Sequence, residues 1–321
     1  MSDQSPVIIG TRGSALALVQ ANMILAQCRA AFPEQTFEIQ IIKTTGDKLK
    51  TASLANPDKS LPKGLFTKEL EVALLDGRAD LAVHSLKDLP TELPDGLLLG
   101  ATPPREDVRD VLIYRSESSA IGGLKPAIQI GELPEGATIA SSSTRRQSQL
   151  REQRPDLKLV EIRGNVPTRL RKISEQAELH GTLLAAAGLK RLGYTIDEDG
   201  TLNGKEVPDG LLAVCLSEQE MLPAVGQAAI GIETRKDDER IGTICEKLNH
   251  EDTLQAVTAE RAFLRAFGGG CATPVAAHAR VDGTVISMEV VSYVSDGPRR
   301  ASGSGDSAEE LGKQLAAEVL S

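Results

Sequence analysis

Three glycines run directly into a cysteine in the segment FGGGCATPVA, Phe267 to Ala276. Glycine has more backbone freedom to lose than any other residue, so three in a row are costly to order. They also clear side-chain bulk from around Cys271. One account is a tight turn with a small thiol that happens to fit. The other is a sulfur kept accessible so that something can be attached to it. The other cysteines, Cys28, Cys215 and Cys245, lie in an amphipathic helical pattern or beside apolar residues, where a buried free thiol is expected. No two cysteines have C-x-x-C spacing, and His84, His180, His250 and His278 stand alone. Neither a zinc site nor a redox dithiol is indicated, and no metal is expected.

A second chemistry is carried by arginines. Arg12, Arg145, Arg146, Arg163 and Arg169 fall near predicted strand ends and helix starts, with Arg154 and Arg191 in the same central region. In open α/β sheets ligands sit beyond the carboxyl ends of strands. Helix N-termini there offer free N–H groups to anions. Arginine adds a two-pronged donor that matches a carboxylate. In SSSTRRQ, three serines, a threonine, a helix start and two guanidiniums coincide on a chain of net charge −9. Any one arginine is more simply a solvated helix residue, with Arg145 and Arg146 paired to Glu152 or Asp156. The group together points to a small, multiply anionic ligand. There is neither a G-x-x-x-x-G-K-[ST] loop nor a strand-linked G-x-G-x-x-G, so carboxylates fit at least as well as phosphates. HSLKDLP places Lys87 and Asp88 at a strand end before a proline turn. A carboxylate there could do acid–base work or stabilise a cation, although alone it reads as a turn residue capping local N–H groups.

The elements that must position these groups follow from composition and periodicity. The chain has 321 residues, 40% hydrophobic and 25% charged, a globular balance long enough for two or three domains. Net acidity argues against a nucleic-acid surface. No apolar run approaches a membrane span, and MSDQSPVIIG lacks the basic and apolar regions of a signal peptide, so the cytoplasm is the expected location. PVIIGTR, TFEIQIIKTT, ADLAVHSL, GLLLGAT, DVLIYRS, KLVEIRGN and TLLAAAGL read as strands. SALALVQANMILAQCRAAF, GLFTKELEVALLDG and VPTRLRKISEQ have helical spacing, with Ser14 as a helix N-cap. Strand and helix alternate, which predicts α/β layers with a largely parallel sheet. ATPPRED and LPAVGQAAIGIETR read as crossings between domains. The polar stretch DEDGTLNGKEVPDG reads as a hairpin or loop; its Asp197 and Asp199 do not match a calcium loop, because Gly200 comes too early. From about residue 246 a helix, the glycine loop, alternating strands and a final helix suggest a small α+β domain.

Nine motifs in order along almost the whole chain resemble the porphobilinogen deaminases, also called hydroxymethylbilane synthases. They are TRGSALAL, KGLFTKELE, DLAVHSLKDLP, RED.RD at Arg105 to Asp110, SSSTRRQSQL, IRGNVPTRL, AAAGLKRLG, LPAVGQAAIGIETR and GGGCATPV. The resemblance implies two α/β lobes like periplasmic binding proteins plus a smaller C-terminal α+β domain. The expected division is residues 1–104 with 225–245, residues 105–224, and residues 246–321. It implies a transferase that joins four porphobilinogen molecules, releases four ammonia, and grows the tetrapyrrole on a dipyrromethane cofactor, one per chain, held by a thioether to Cys271. It assigns Asp88 as the catalytic carboxylate. Arg145, Arg146, Ser143 and Lys87 would hold the cofactor. Arg12, Ser14, Lys63, Phe66, Thr144, Arg163, Arg169 and Gln227 would bind substrate. A monomer without nucleic-acid or membrane partners is expected.

The chain departs from the family pattern at Leu61-Pro62 before Lys63, at Thr144 where an aliphatic residue is common, at Ala228 in place of a usual glycine, and in the polar stretch from Asp197 to Gly210. Two other classes compete with this reading. A non-catalytic two-lobed binding protein for a small dicarboxylate would account for the arginines but not for Cys271 or a third domain. A cysteine hydrolase would need a histidine base near Cys271, for which His84 and His278 are the only hints. The intact mass of the purified protein separates these readings.

Overall fold

The computed structural model describes residues 5–45, 66–119, 122–270 and 272–321. The first lobe is built on β1 (Val7–Thr11), β2 (Phe37–Ile41), β3 (Leu81–Ser85) and β4 (Leu97–Ala101), with helices α1 (Ala15–Ala31) and α2 (Lys68–Leu75). Ser14 Oγ accepts the Ala17 N–H at 3.4 Å and caps α1. Ala17, Ala21, Ile24 and Cys28, three or four residues apart, form its buried face. Ala21, Ile24 and Cys28 pack on Val7, Ile9, Phe37, Leu81 and Val83.

The second lobe contains β5 (Asp110–Arg115), β6 (Thr138–Ala140), β7 (Lys158–Val160), β8 (Gly181–Ala185) and β11 (Leu211–Cys215), with α3 (Thr144–Gln153), α4 (Val166–Glu175) and α5 (Ala186–Arg191). Every residue of β5 is buried. Val111 and Ile113 enter one core and Leu112 and Tyr114 the other, as the two-residue period of a strand covered on both faces requires. The polar stretch forms a small antiparallel hairpin, β9 (Thr195–Ile196) and β10 (Leu202–Asn203). There Asp199 accepts the Thr201 N–H and Asp197 accepts from Asn203.

The chain then returns to the first lobe as β12 (Ile230–Arg235) and α6 (Glu239–Leu248). The last unit is α7 (Glu251–Ala266), the antiparallel meander β13 (Val275–Asp282), β14 (Val285–Ser292) and β15 (Arg299–Gly305), and α8 (Ala308–Leu320). Phe263 of α7 and Leu315 of α8 bury against Met288 and Val290 of the meander.

The sheets are mixed rather than largely parallel. Their orders are β2-β1-β3-β12-β4 and β11-β5-β8-β6-β7. β12 is antiparallel to both β3 and β4, and β5 is antiparallel to both β8 and β11. The cause is the connectivity. β5 and β12 each begin where the chain has just crossed from the other lobe, so they start at the edge where β3 and β8 end. The expected strand TLLAAAGL is also shorter. It ends at Ala185, and the alanines that follow begin α5, in keeping with alanine's high helix propensity. KLVEIRGN is a strand only over Lys158–Val160.

All three described cysteines are free. Burial pushes the Cys28 thiol up to about 11 and the Cys245 thiol up to about 12, which makes both inert near neutrality.

Candidate anion site at the junction of the lobes

β3 ends at Ser85 and runs into a single 3-10 turn, Leu86–Asp88. Burial of Leu86 and three hydrogen bonds brace this turn. Leu86 is 1% exposed. Its N–H donates to the Ala229 carbonyl at 3.0 Å. Arg261 of α7 donates to the carbonyls of Leu89 (3.1 Å) and Pro90 (2.6 Å), just beyond Asp88. Behind the turn lies Gly226, at φ +68, where a Cβ would come within 3.3 Å of the Lys87 nitrogen. Asp88 is left exposed, with no hydrogen bond to a described side chain or backbone group. Burial pushes the Lys87 ammonium below its usual range, and the charge of Arg146 adds to this, while Asp88 and Asp110 oppose it.

Across the junction, β6 delivers the serines to the start of α3. Ser143 caps the helix, its Oγ accepting the Arg146 N–H at 3.4 Å. Arg145 and Arg146 therefore lie in the first turn, only 4% and 7% exposed. Their partner is neither Glu152 nor Asp156, which bind Arg300 and Arg154 instead. It is Asp110. Its Oδ2 accepts from Arg145 Nη2 at 2.6 Å. Its Oδ1 accepts from Arg146 Nη2 at 2.6 Å and Nε at 3.2 Å, and from Gln227 Nε2 at 3.0 Å. Burial alone would raise the Asp110 carboxyl, but the two guanidiniums outweigh it and hold the group well below the usual carboxylate range.

Other expected site residues fall around this centre. Arg169 is half-buried, its Nε donates to the Gly164 carbonyl at 2.9 Å, and it feels the charge of Arg146. Arg163 is exposed and pairs with Glu161 at 3.3 Å. The Arg12 guanidinium lies 4.2 Å from the centroid of the Phe66 ring. Thr144 donates from Oγ1 to the Ala272 carbonyl at 2.7 Å, joining α3 to the loop after the glycines. Gln227 is 1% exposed and its amide also reaches the Val108 carbonyl at 2.7 Å, so it lies beneath the arginines. Of the remaining central arginines, Arg154 ties together the carbonyls of Ile130, Gly131 and Leu133, and Arg191 donates to Ala228. Lys63 and Cys271 lie outside the described residues.

Several groups at the junction were not singled out in the sequence. Arg105 and Glu260 form a two-pronged pair at 2.7 and 3.0 Å. Glu260 also accepts the N–H groups of Gly226 (2.7 Å) and Ala279 (2.9 Å), and Arg105 Nε donates to the Gln227 carbonyl at 2.9 Å. The only signal for Arg105 and Asp110 was their place in RED.RD. Nothing in TAERAF marked Glu260 or Arg261 as more than helix charges.

The donor set suits carboxylate ligands. Four cations, Lys87, Arg145, Arg146 and Arg169, share the region with Asp88 and Asp110. The Nε of Arg145 is buried without a hydrogen-bond partner, a vacancy native interiors seldom leave. Among the described residues no cluster of His, Cys, Asp or Glu could hold a metal ion, and no described helix is long and apolar enough to cross a membrane.

Two mixed α/β lobes, with a buried cluster of arginines paired to Asp110 where they meet, define a two-lobed α/β protein. The chain belongs to the porphobilinogen deaminase family. Residues 7–243 match the model described as porphobilinogen deaminase, dipyromethane cofactor binding domain, and residues 254–321 match that of its C-terminal domain. The porphobilinogen deaminase of Syntrophomonas wolfei is 43% identical over 97% of this chain and 94% of its own. That of Syntrophus aciditrophicus is 44% identical over the same shares. The chloroplastic enzyme of Oryza sativa is 48% identical over 87% of this chain and 71% of its own. Among solved structures, the periplasmic aliphatic sulphonate binding protein SsuA from Escherichia coli superposes at TM-score 0.41 and 14% identity, over 82% of this chain and 71% of that one.

Proposed function

We propose that this chain is a transferase that condenses four porphobilinogen molecules head to tail and releases the linear hydroxymethylbilane. The reading rests on one observation above the rest: Lys87 of the first lobe, the neighbour of Asp88, lies close enough to Arg145 and Arg146 of the second for their charges to interact. The pyrroles carry acetate and propionate groups, which a cationic, part-buried donor set recognises. A dipyrromethane, when bound through Cys271, supplies the nucleophilic pyrrole carbon on which condensation begins.

This chain's own residues do the rest. Lys87, Ser143, Arg145 and Arg146 hold cofactor carboxylates. Arg12, Ser14, Lys63, Phe66, Thr144, Arg163 and Arg169 bind the substrate and lengthening product, while Gln227, buried beneath the arginines, acts by supporting Asp110. Asp88 faces the pyrrole nitrogen of incoming porphobilinogen and stabilises the positive charge that develops there as ammonia leaves. A carboxylate fixed before the charge appears needs no reorganisation, which is the source of its effect. The braced turn behind Asp88 serves that purpose.

The proposed units are residues 1–104 with 225–245, residues 105–224, and residues 246–321. The enzyme works as a cytoplasmic monomer, in keeping with the free thiols of Cys28, Cys215 and Cys245.

The test combines mass and turnover. The purified protein should carry two pyrrole units. Cys271→Ser should fold and lose them, while Cys28→Ser, Cys215→Ser and Cys245→Ser keep them. Asp88→Asn preserves shape and removes charge, and should lower turnover by at least about 10²-fold, with Asp88→Glu retaining more. A normal adduct on Cys271→Ser, or equal turnover by Asp88→Asn and wild type, would refute the assignment.

A further inference from the structure

Asp110 is fully buried and is not one of the groups that the chemistry above requires to touch substrate. Its backbone opens β5, an interior strand of the second sheet, paired with Ala185 of β8, and its carbonyl accepts the Leu216 N–H at 2.9 Å. Because β5 runs against β8, the first residue of β5 lies at the edge where β8 ends. The carboxylate is thereby fixed by the sheet itself at the start of α3.

There it gathers four donors: one from Arg145, two from Arg146 and one from Gln227. Each guanidinium is also held from behind by a backbone carbonyl, Leu222 for Arg145 and Leu183 for Arg146 at 2.9 Å. Two buried guanidiniums without a counter-charge would repel each other and suffer the full cost of desolvation. With Asp110 between them they keep one net positive charge, and the unpartnered Nε of Arg145 remains as a donor.

We infer that Asp110 is a positioning residue: it holds Arg145 and Arg146 as one preformed receptor for a ligand carboxylate. Resting on the proposed activity, this adds a residue whose effect is exerted through the arginines and not on the reacting atoms. Asparagine at the position keeps the size but offers one acceptor oxygen and turns an N–H₂ toward a guanidinium, so one arginine is released. Glutamate keeps the charge and moves it by a methylene.

The test is assembly of the dipyrromethane by apo-protein given porphobilinogen, followed by intact mass and scored per folded chain, with thermal unfolding measured in parallel. Asp110→Asn should load at least tenfold more slowly per folded chain. Asp110→Glu should recover stability, since the charge is restored, while loading remains slow, since the geometry is not. Should Asp110→Asn fail to fold, Asp110→Glu decides alone. A residue of purely structural importance would lower the folded fraction and leave loading per folded chain unchanged, and that result overturns the inference. A wild-type chain that never gains pyrrole mass would instead sink the activity on which it rests.

Discussion

The guanidinium of Arg12 stacks on the ring of Phe66, 4.2 Å from its centroid. One residue follows β1 and the other precedes α2, so the stack joins the end of β1 to the start of α2. A cation over an aromatic face contributes about 0.5–1 kcal/mol when exposed and about 2 when desolvated. Phe66→Leu keeps apolar bulk and loses the face. Substrate KM should rise several-fold with kcat little changed, because the stack orients Arg12 and takes no part in bond breaking. A variant with unchanged KM would show that Arg12 needs no such support.

Gly226→Ala should damage catalysis without touching substrate. The glycine holds φ +68, and an added Cβ would meet the Leu86 carbonyl carbon and the Lys87 nitrogen at 3.3 Å. The left-handed conformation costs a non-glycine residue about 1–2 kcal/mol, and the contact pushes on the turn that carries Asp88. We expect stability lower by that amount and kcat reduced at least about tenfold, with KM less affected. A stability loss with normal kcat would mean that the turn tolerates displacement.

Ala228 and Ala229 form a matched pair. Both are buried, at 6% and 1% exposure, but Ala228 alone sits at φ +70. Replacement by glycine removes a buried methyl in each case, at about 0.8 kcal/mol. Only at Ala228 does it also relieve a left-handed backbone, worth about 1–2 kcal/mol. Ala228→Gly should therefore be about 1–2 kcal/mol more stable than Ala229→Gly in denaturant unfolding. Equal stabilities would show that the neighbouring contacts, including the Arg191 bond to the Ala228 carbonyl at 2.6 Å, absorb the strain.

His180 predicts an acid sensitivity. Its Nδ1 accepts the Thr138 N–H at 3.0 Å. Burial, with the charges of Arg115 and Lys158, holds the ring below its ordinary value of 6.5. As pH falls below that value the unfolded chain takes up a proton that the folded chain refuses, so stability falls; above it this group contributes no pH dependence. The slope for one proton is at most about 1.4 kcal/mol per pH unit. His180→Gln, whose amide oxygen can accept the same N–H, should flatten the thermal midpoint between pH 7 and 5.5 relative to wild type. Parallel curves for the two proteins would assign the acid loss to other groups.

What could be read from the sequence divides along a physical line. Lys87 and Asp88 follow a strand, and Arg145 and Arg146 open a helix, so the rule that ligands gather at carboxyl strand ends finds them. Asp110 escapes that rule because it begins a strand. Its place at the ligand edge depends on β5 running antiparallel, a pairing that local periodicity does not encode. The same blindness produced the expectation of largely parallel sheets. Glu260 and Arg261 look like the solvated charges of an amphipathic helix. Their burial arises only because α7 lies across the place where the chain passes between lobes. The segment around Arg12 and Phe66 was legible as two separate elements but not as a contact, since residues 54 positions apart leave no periodic trace.

Glu260 has a consequence for the handling of the chain. Its carboxylate is bound by Arg105 of the outward crossing and by the Gly226 N–H of the return crossing, so one side chain of the last unit closes both passages. The C-terminal unit is contiguous in sequence and looks like a module that could be added or removed. Electrostatically it is a keystone. Cutting the chain ahead of α7 would strand the Arg105 guanidinium, whose side chain is only 10% exposed, and free both connectors at once. Arginine and glutamate therefore act as one unit, and attempts to graft the C-terminal unit onto a simpler two-lobed scaffold will have to transplant both.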